Sequence, residues 1–270
     1  MTLDLAMITH GPQGIERVAT VLLPPQPGVR YVVSWQRHEN APIPTALLRP
    51  DVEIHRFDGV GLSNNRNNAL DHCTADVILI ADDDLTYLPG AFDEILRVFS
   101  ENPGLDFATF RSEKDGNPEF PQSETCLGNR LPKGYYVTSF EMALRLSSVG
   151  NLRMCPELGL GAPRYQGGED EMMLHTAIKR GLDCRFFPLT ICRHPHPSTG
   201  TKLTVTDGNL RGSGAVIALM NPWSAPLRVP LKAWRTARAG KTSFIRALRH
   251  ITAGALGAPA LFNRNKKYLK

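Results

Sequence analysis

Three adjacent aspartates, Asp82-Asp83-Asp84, close the apolar run Val77-Ile78-Leu79-Ile80-Ala81. Neighbouring carboxylates repel one another, and a divalent cation is the natural compensation. Hard ions such as Mg²⁺ and Mn²⁺ take oxygen ligands and are often shared with substrate phosphates. On an extended chain Asp82 and Asp84 share one face and Asp83 takes the other. A solvated acidic turn capping the next helix would use the same three residues.

Three further segments carry candidate chemistry. Gly59-Val60-Gly61-Leu62-Ser63-Asn64-Asn65-Arg66-Asn67-Asn68 leads glycines into a helix start rich in Ser and Asn. Free N–H groups there suit an anion, and Arg66 adds a fixed positive charge; a well-capped surface helix is the plainer reading. Gly167-Gly168-Glu169-Asp170 opens a helix over Glu171–Arg180, with Leu174, Ala177 and Ile178 on its apolar face and Gly181 as the stop. Carboxylates at the positive end of the helix dipole serve either as a cap or as a held general base. Cys192-Arg193-His194-Pro195-His196 ends an apolar strand with two imidazoles, either of which could complete a metal site begun by the aspartates.

These groups need elements to position them. Leu3–Gly11 reads as a buried strand ending in a glycine loop, with a helix over Gly14–Leu23. Val29–Trp35, Val52–Phe57 and Ala75–Leu85 read as further strands, and Leu62–Cys73 and Pro89–Ser100 as helices. Alternating strands and helices imply a mostly parallel, doubly wound sheet, in which the aspartates fall at a ligand-binding strand end. LDFATFRSE, YYVTSFEMALRL and CRFFPLTICRH read as later strands of a mixed sheet.

Charge divides the chain. Residues 208–270 hold 12 of the 31 Lys and Arg and no Asp or Glu, leaving residues 1–207 with 19 basic and 26 acidic side chains. The expected organisation is a catalytic domain over 1–207 and a basic helical extension over 208–270. In the extension Leu227, Leu231 and Trp234, then Phe244, Leu248 and Ile251, recur at helical spacing beside Arg228, Lys232, Arg235, Arg246 and Arg249. Such stripes suit an anionic bilayer surface, or they pack on the catalytic domain. The five cysteines include no C-x-x-C pair, which points to a reducing compartment rather than a disulfide frame. The first residues lack the basic region of a signal peptide, and no apolar stretch reaches the length of a membrane span.

Taken in order, ITHG, GLSNNRNNAL, VILIADDDL, GGEDEMML and RHPHPSTG resemble a family 2 inverting glycosyltransferase of GT-A fold, of a bacterial type that builds cell-surface polysaccharides. The resemblance covers about residues 3–205 and implies a Rossmann-like α/β fold, a mostly parallel central sheet flanked by helices. It implies a nucleotide diphosphate sugar as donor, UDP-linked by preference, and a glycan or lipid-linked acceptor. By the same resemblance Asp82 contacts ribose or metal, Asp84 coordinates Mn²⁺ or Mg²⁺, and Asp83 borders the donor. Arg66 and Asn67 lie in the nucleotide pocket near Thr9, His10 and Gly11. Asp170 is the general base with Glu169 beside it, and His194 meets metal or phosphate with His196 in reserve. The family often ends its second strand on an acidic pair; Ser34-Trp35-Gln36 stands here instead, with Gln36 able to bond a base and Trp35 to stack or pack. The expected location is cytoplasmic, at the membrane face through the basic extension.

Two other classes compete. A sugar-phosphate nucleotidyltransferase would more usually carry a glycine-rich basic loop after the first strand, which ITHGPQGIER matches poorly. A nucleic-acid-binding protein would use the basic extension, but no zinc-finger spacing or RRM aromatic motif accompanies it, so nucleic acid is not the expected partner.

Overall fold

The computed structural model describes residues 1–113, 121–132, 135–194 and 205–270. Strand β1 (Leu3–His10) passes directly into helix α1 (Gly11–Val21). Strands β2 (Val29–Gln36) and β3 (Val52–Phe57) precede α2 (Leu62–His72), β4 (Val77–Asp82), β5 (Thr86–Tyr87) and α3 (Ala91–Glu101). Next come β6 (Phe107–Glu113), β7 (Thr125–Cys126), β8 (Met142–Arg145) and the single turn α4 (Leu146–Val149). Then follow α5 (Glu169–Lys179), β9 (Cys184–Arg193), α6 (Asp207–Met220), α7 (Ala225–Arg238), α8 (Phe244–Arg264) and α9 (Lys266–Leu269).

The described residues form two compact units. The first takes in 1–59, 65–152 and 177–194; the second takes in 60–64, 153–176 and 205–270. The basic extension expected from residue 208 therefore shares its unit with two earlier segments.

The first unit is a mixed α/β layer structure around one sheet of order β3-β2-β1-β4-β8-β6-β9-β5, with β7 also paired to β9. The four strands β3, β2, β1 and β4 are parallel to one another. β8 is antiparallel to both neighbours, and β6 and β9 are parallel. Central parallel strands are covered on both faces, which is why β1 and β4 read as continuous apolar runs rather than alternating ones. Leu3, Leu5 and Met7 of β1, Leu79 and Ala81 of β4, and Phe92, Ile95, Val98 and Phe99 of α3 share one core.

Two elements differ from the sequence reading. α1 begins at Gly11, without the loop expected before Gly14, because Gly11 turns the chain at φ +73 and Pro12 presets the first helical turn. The expected strand through YYVTSFEMALRL shrinks to Met142–Arg145, and Ser139–Glu141 forms a 3₁₀ turn. That turn buries Glu141, whose carboxylate accepts from the Ser112 amide at 2.9 Å and the Ser112 hydroxyl at 2.6 Å.

In the second unit α6, α7 and α8 pack around Leu210, Val229, Ala233, Ala247 and Ile251. α6 and α8 meet backbone to backbone. A β carbon on Gly214 would overlap the Ile251 carbonyl oxygen, and one on Gly254 would overlap that of Arg211. Gly214→Ala is therefore expected to destabilise this unit by about 1–3 kcal/mol, the usual range for overpacking. A chemical-denaturation midpoint equal to that of the parent protein would contradict the close approach. The apolar stripes of the extension divide unequally. Ile251 is buried, whereas Leu227, Leu231 and Trp234 face outward, because α7 buries Ala225, Val229, Ala233 and Thr236 instead.

Candidate active site

Register brings the first group of side chains to one edge. Thr9 pairs with Trp35, His10 with Gln36 and Ile8 with Asp82, so β1, β2 and β4 end side by side at their carboxyl ends. Parallel α/β sheets bind ligands at that edge.

Strand alternation stops at Asp82, where β4 ends, so the three aspartates do not follow the two-faced pattern expected of an extended chain; Asp83 and Asp84 lie in a turn. Each meets a different partner. The Arg66 guanidinium donates to Asp82 Oδ1 at 3.1 Å, and its side chain is only 5% exposed. Asp83 is buried and accepts from the Thr9 hydroxyl at 2.5 Å and from Arg17 Nη2 at 2.8 Å. Asp84 lies across from His194, with Nε2 3.7 Å from Oδ1, and the His194 ring stacks on Phe140 at 5.1 Å between centroids. The pairing of β5 with β9 produces this meeting, since Thr86 stands opposite Arg193.

Asp84 differs from the two aspartates before it in its surroundings. Its Oδ1 is buried without a hydrogen bond. Burial pushes its carboxyl above the ordinary range, His194 counters that shift, and Asp82 and Asp83 add to it. Asp84 and His194 carry donors of the kind Mn²⁺ or Mg²⁺ takes, but together with Asp82 they do not place three ligand atoms within 4.8 Å of one another. His196, the reserve ligand, lies outside the described residues.

The neighbouring loops are fixed by buried polar bonds. Asn65 Nδ2 donates to the Thr9 carbonyl at 3.0 Å, Asn65 Oδ1 accepts from the Ser34 hydroxyl at 2.6 Å, and Asn68 donates to Ser34 at 2.8 Å. Trp35 is fully buried and its Nε1 donates to the Gly11 carbonyl at 2.9 Å, so it packs rather than presenting a stacking face. The Gln36 amide donates to the Gly59 carbonyl. Asn67 is buried, and His10 is exposed as the residue before α1. Arg17 and Asn65 were not assigned from sequence. Both act through contacts with residues distant in the chain, and the only local signal was Asn65's place inside the Ser-Asn-Asn-Arg-Asn run.

In the second unit Glu169 and Asp170 begin α5, as the helix-start reading required, although the helix starts two residues earlier than expected. Glu169 is buried against Gly159, which has φ +102. A β carbon there would stand 3.1 Å from the Glu169 carboxyl carbon and 2.9 Å from Ser63 Oγ. The Ser63 hydroxyl donates to the Leu158 carbonyl at 2.6 Å, tying the Gly-x-Ser segment to the loop before α5.

A different group among the described residues does meet that spacing. Glu53, His55 and His72 place ligand atoms within 4.8 Å of one another at the edge strand β3. Arg30 already pairs with Glu53 at 2.7 Å and His55 with Glu53 at 2.8 Å, and the two imidazoles stack face to face at 3.5 Å.

Residues 42–149 match the family described as Glycosyl transferase family 2. Solved structures of S. aureus TarS have a similar fold. TarS 1-349 shares 14% identity at TM-score 0.57, with 100% of this chain and 88% of that chain covered. The same fragment in complex with UDP gives the same four values. In complex with UDP-GlcNAc it gives 14% identity and TM-score 0.55 over 100% and 88% of the two chains. No curated protein matches the sequence.

Proposed function

We propose that this chain, which matches Glycosyl transferase family 2 over residues 42–149 and shares the fold of TarS, is a glycosyltransferase that moves a sugar from a nucleotide diphosphate sugar to an acceptor hydroxyl with inversion. The TarS complexes with UDP and UDP-GlcNAc favour a UDP-linked donor. The observation that carries the reading is the buried, unbonded Asp84 Oδ1 at the sheet edge where β1, β2 and β4 end.

The donor's nucleotide is assigned to that edge. Gln36 borders the base; Arg66, Asn67, His10 and Gly11 line the pocket; and Asp82 meets ribose or metal. Thr9 and Asp83, already bonded to each other, shape the donor site from beneath. Asp84, Asp82 and His194 are the residues that would hold Mn²⁺ or Mg²⁺, which would supply charge stabilisation to the departing diphosphate. Asp170 accepts the proton of the acceptor hydroxyl as it attacks the anomeric carbon, and one base acting opposite the leaving group gives inversion. Glu169, buried against Gly159, stands beside Asp170 at the start of α5.

The acceptor is assigned to a glycan or a lipid-linked glycan met at the cytoplasmic membrane face. The second unit supports that placement. Among the described residues, seven of the twelve exposed large hydrophobics lie between Trp223 and Leu256, on a segment free of acidic residues. No described helix is long and apolar enough to cross a membrane.

A thermal-shift screen of nucleotide sugars with Mn²⁺ tests the donor assignment. A UDP-sugar at about 100-fold its Kd contributes about 2.7 kcal/mol. For a protein of this size that raises Tm by several degrees. A rise with a nucleoside triphosphate and none with any nucleotide sugar would instead indicate a nucleotidyltransferase.

A further inference from the structure

The second unit holds an apolar groove of about 810 Å³ between the end of α6, one side of α7 and the length of α8. Leu219, Pro226, Pro230, Leu248, Leu256 and Phe262 give its character; Thr252 is the one hydroxyl-bearing residue in the lining, and no ionisable side chain enters it. The volume lies within the range of small-molecule sites. Pro230 and Pro259 sit inside helices, have no N–H to offer and present ring methylenes to the groove. Its walls are stiff, since α6 and α8 are in backbone contact at Gly214 and Gly254.

The surroundings select the occupant. α7 carries Arg228, Lys232, Arg235 and Arg238 and no carboxylate. Acidic groups that meet the extension's cations, such as Asp207 with Arg246 at 2.9 Å, Glu157 with Arg264 at 2.6 Å and Glu171 near Lys232, come from outside residues 208–270. Trp223, 97% exposed, follows the lining residue Pro222, and indoles favour the boundary between water and hydrocarbon. A purely apolar slot edged by cations matches a molecule with a hydrocarbon chain and an anionic head.

We infer that this groove takes the hydrocarbon chain of a phosphate-bearing lipid, one lipid per protein, with the headgroup held by the basic side chains of α7. The inference rests on the membrane-facing reading of the second unit and goes beyond it. A surface that only adsorbs to a bilayer needs no apolar groove of this size.

The test uses the full chain and dodecyl phosphate below its micellar concentration, followed by isothermal calorimetry. Saturable binding of one dodecyl phosphate per chain is expected, with no binding of ethyl phosphate. Leu256→Asn, at an exposed position of the lining, should weaken binding at least tenfold while leaving Tm unchanged. If vesicles of phosphatidylglycerol bind but monomeric dodecyl phosphate does not, the groove assignment falls and the membrane reading stands. If neither binds, both fall. If sedimentation shows a dimer that takes up lipid only on dissociation, a second copy of this chain is the occupant and the inference is overturned.

Discussion

Asp170→Asn is expected to lower kcat by about 10²–10⁴-fold, the usual contribution of a positioned general base, while donor Kd stays within about twofold. An acceptor hydroxyl is a poor nucleophile at neutral pH, so the proton must leave as the new bond forms. Asp170 stands in the first turn of α5, where backbone N–H groups and the helix dipole favour a negative charge. Asn preserves the shape of that side chain but removes its basicity. The substitution thus removes the base while keeping the side chain's volume, which Asp170→Ala would not. Single-turnover transfer and donor titration read the two effects independently. Transfer by the Asn variant at the parent rate would remove Asp170 from the chemistry.

Asp84→Asn is expected to produce opposite effects on stability and function. Without a cation, the carboxylate of Asp84 is penalised chiefly by burial, with Asp82 and Asp83 adding repulsion. Its folded pKa lies above the unfolded value, so the ionised group opposes folding at neutral pH, and that penalty disappears as pH falls below the unfolded value. An uncharged amide should leave the Tm of the cation-free protein unchanged or higher. Donor affinity in Mn²⁺ should nevertheless fall by at least about tenfold, since disturbing even an outer partner of a metal site costs that much. A residue that merely packs would lose stability when replaced, whereas a site residue exchanges stability for function. Equal donor affinity of parent and variant, each titrated with and without Mn²⁺, would refute the assignment.

What could be read from the sequence follows the range of the interactions. The apolar runs of β1 and β4 are local facts, and they placed ITHG and the three aspartates at strand ends. The amphipathic spacing of Phe92, Ile95 and Phe99 located α3 to within two residues at its start. The contacts that organise the edge were not legible, because Thr9 to Asp83, Arg17 to Asp83 and Asn65 to Thr9 each span 56 or more residues. The α7 stripe shows another limit. Periodicity finds that a helix has an apolar face, but α7 also has a face of small residues, and close packing at Ala225, Val229 and Ala233 selected that one. The larger Leu227, Leu231 and Trp234 were left facing out.

The glycine contact between α6 and α8 has a kinetic consequence. Two helices joined at the level of their carbonyl oxygens cannot slide or open one at a time, because no side chain lies between them to act as a bearing. Their amide protons should exchange with deuterium as a single cooperative set, at one shared opening rate, while those of α7 exchange ahead of them. A chain that ends before α8 would leave the α6 seam bare. The last helices are thus part of what keeps the second unit folded, in addition to whatever surface they present.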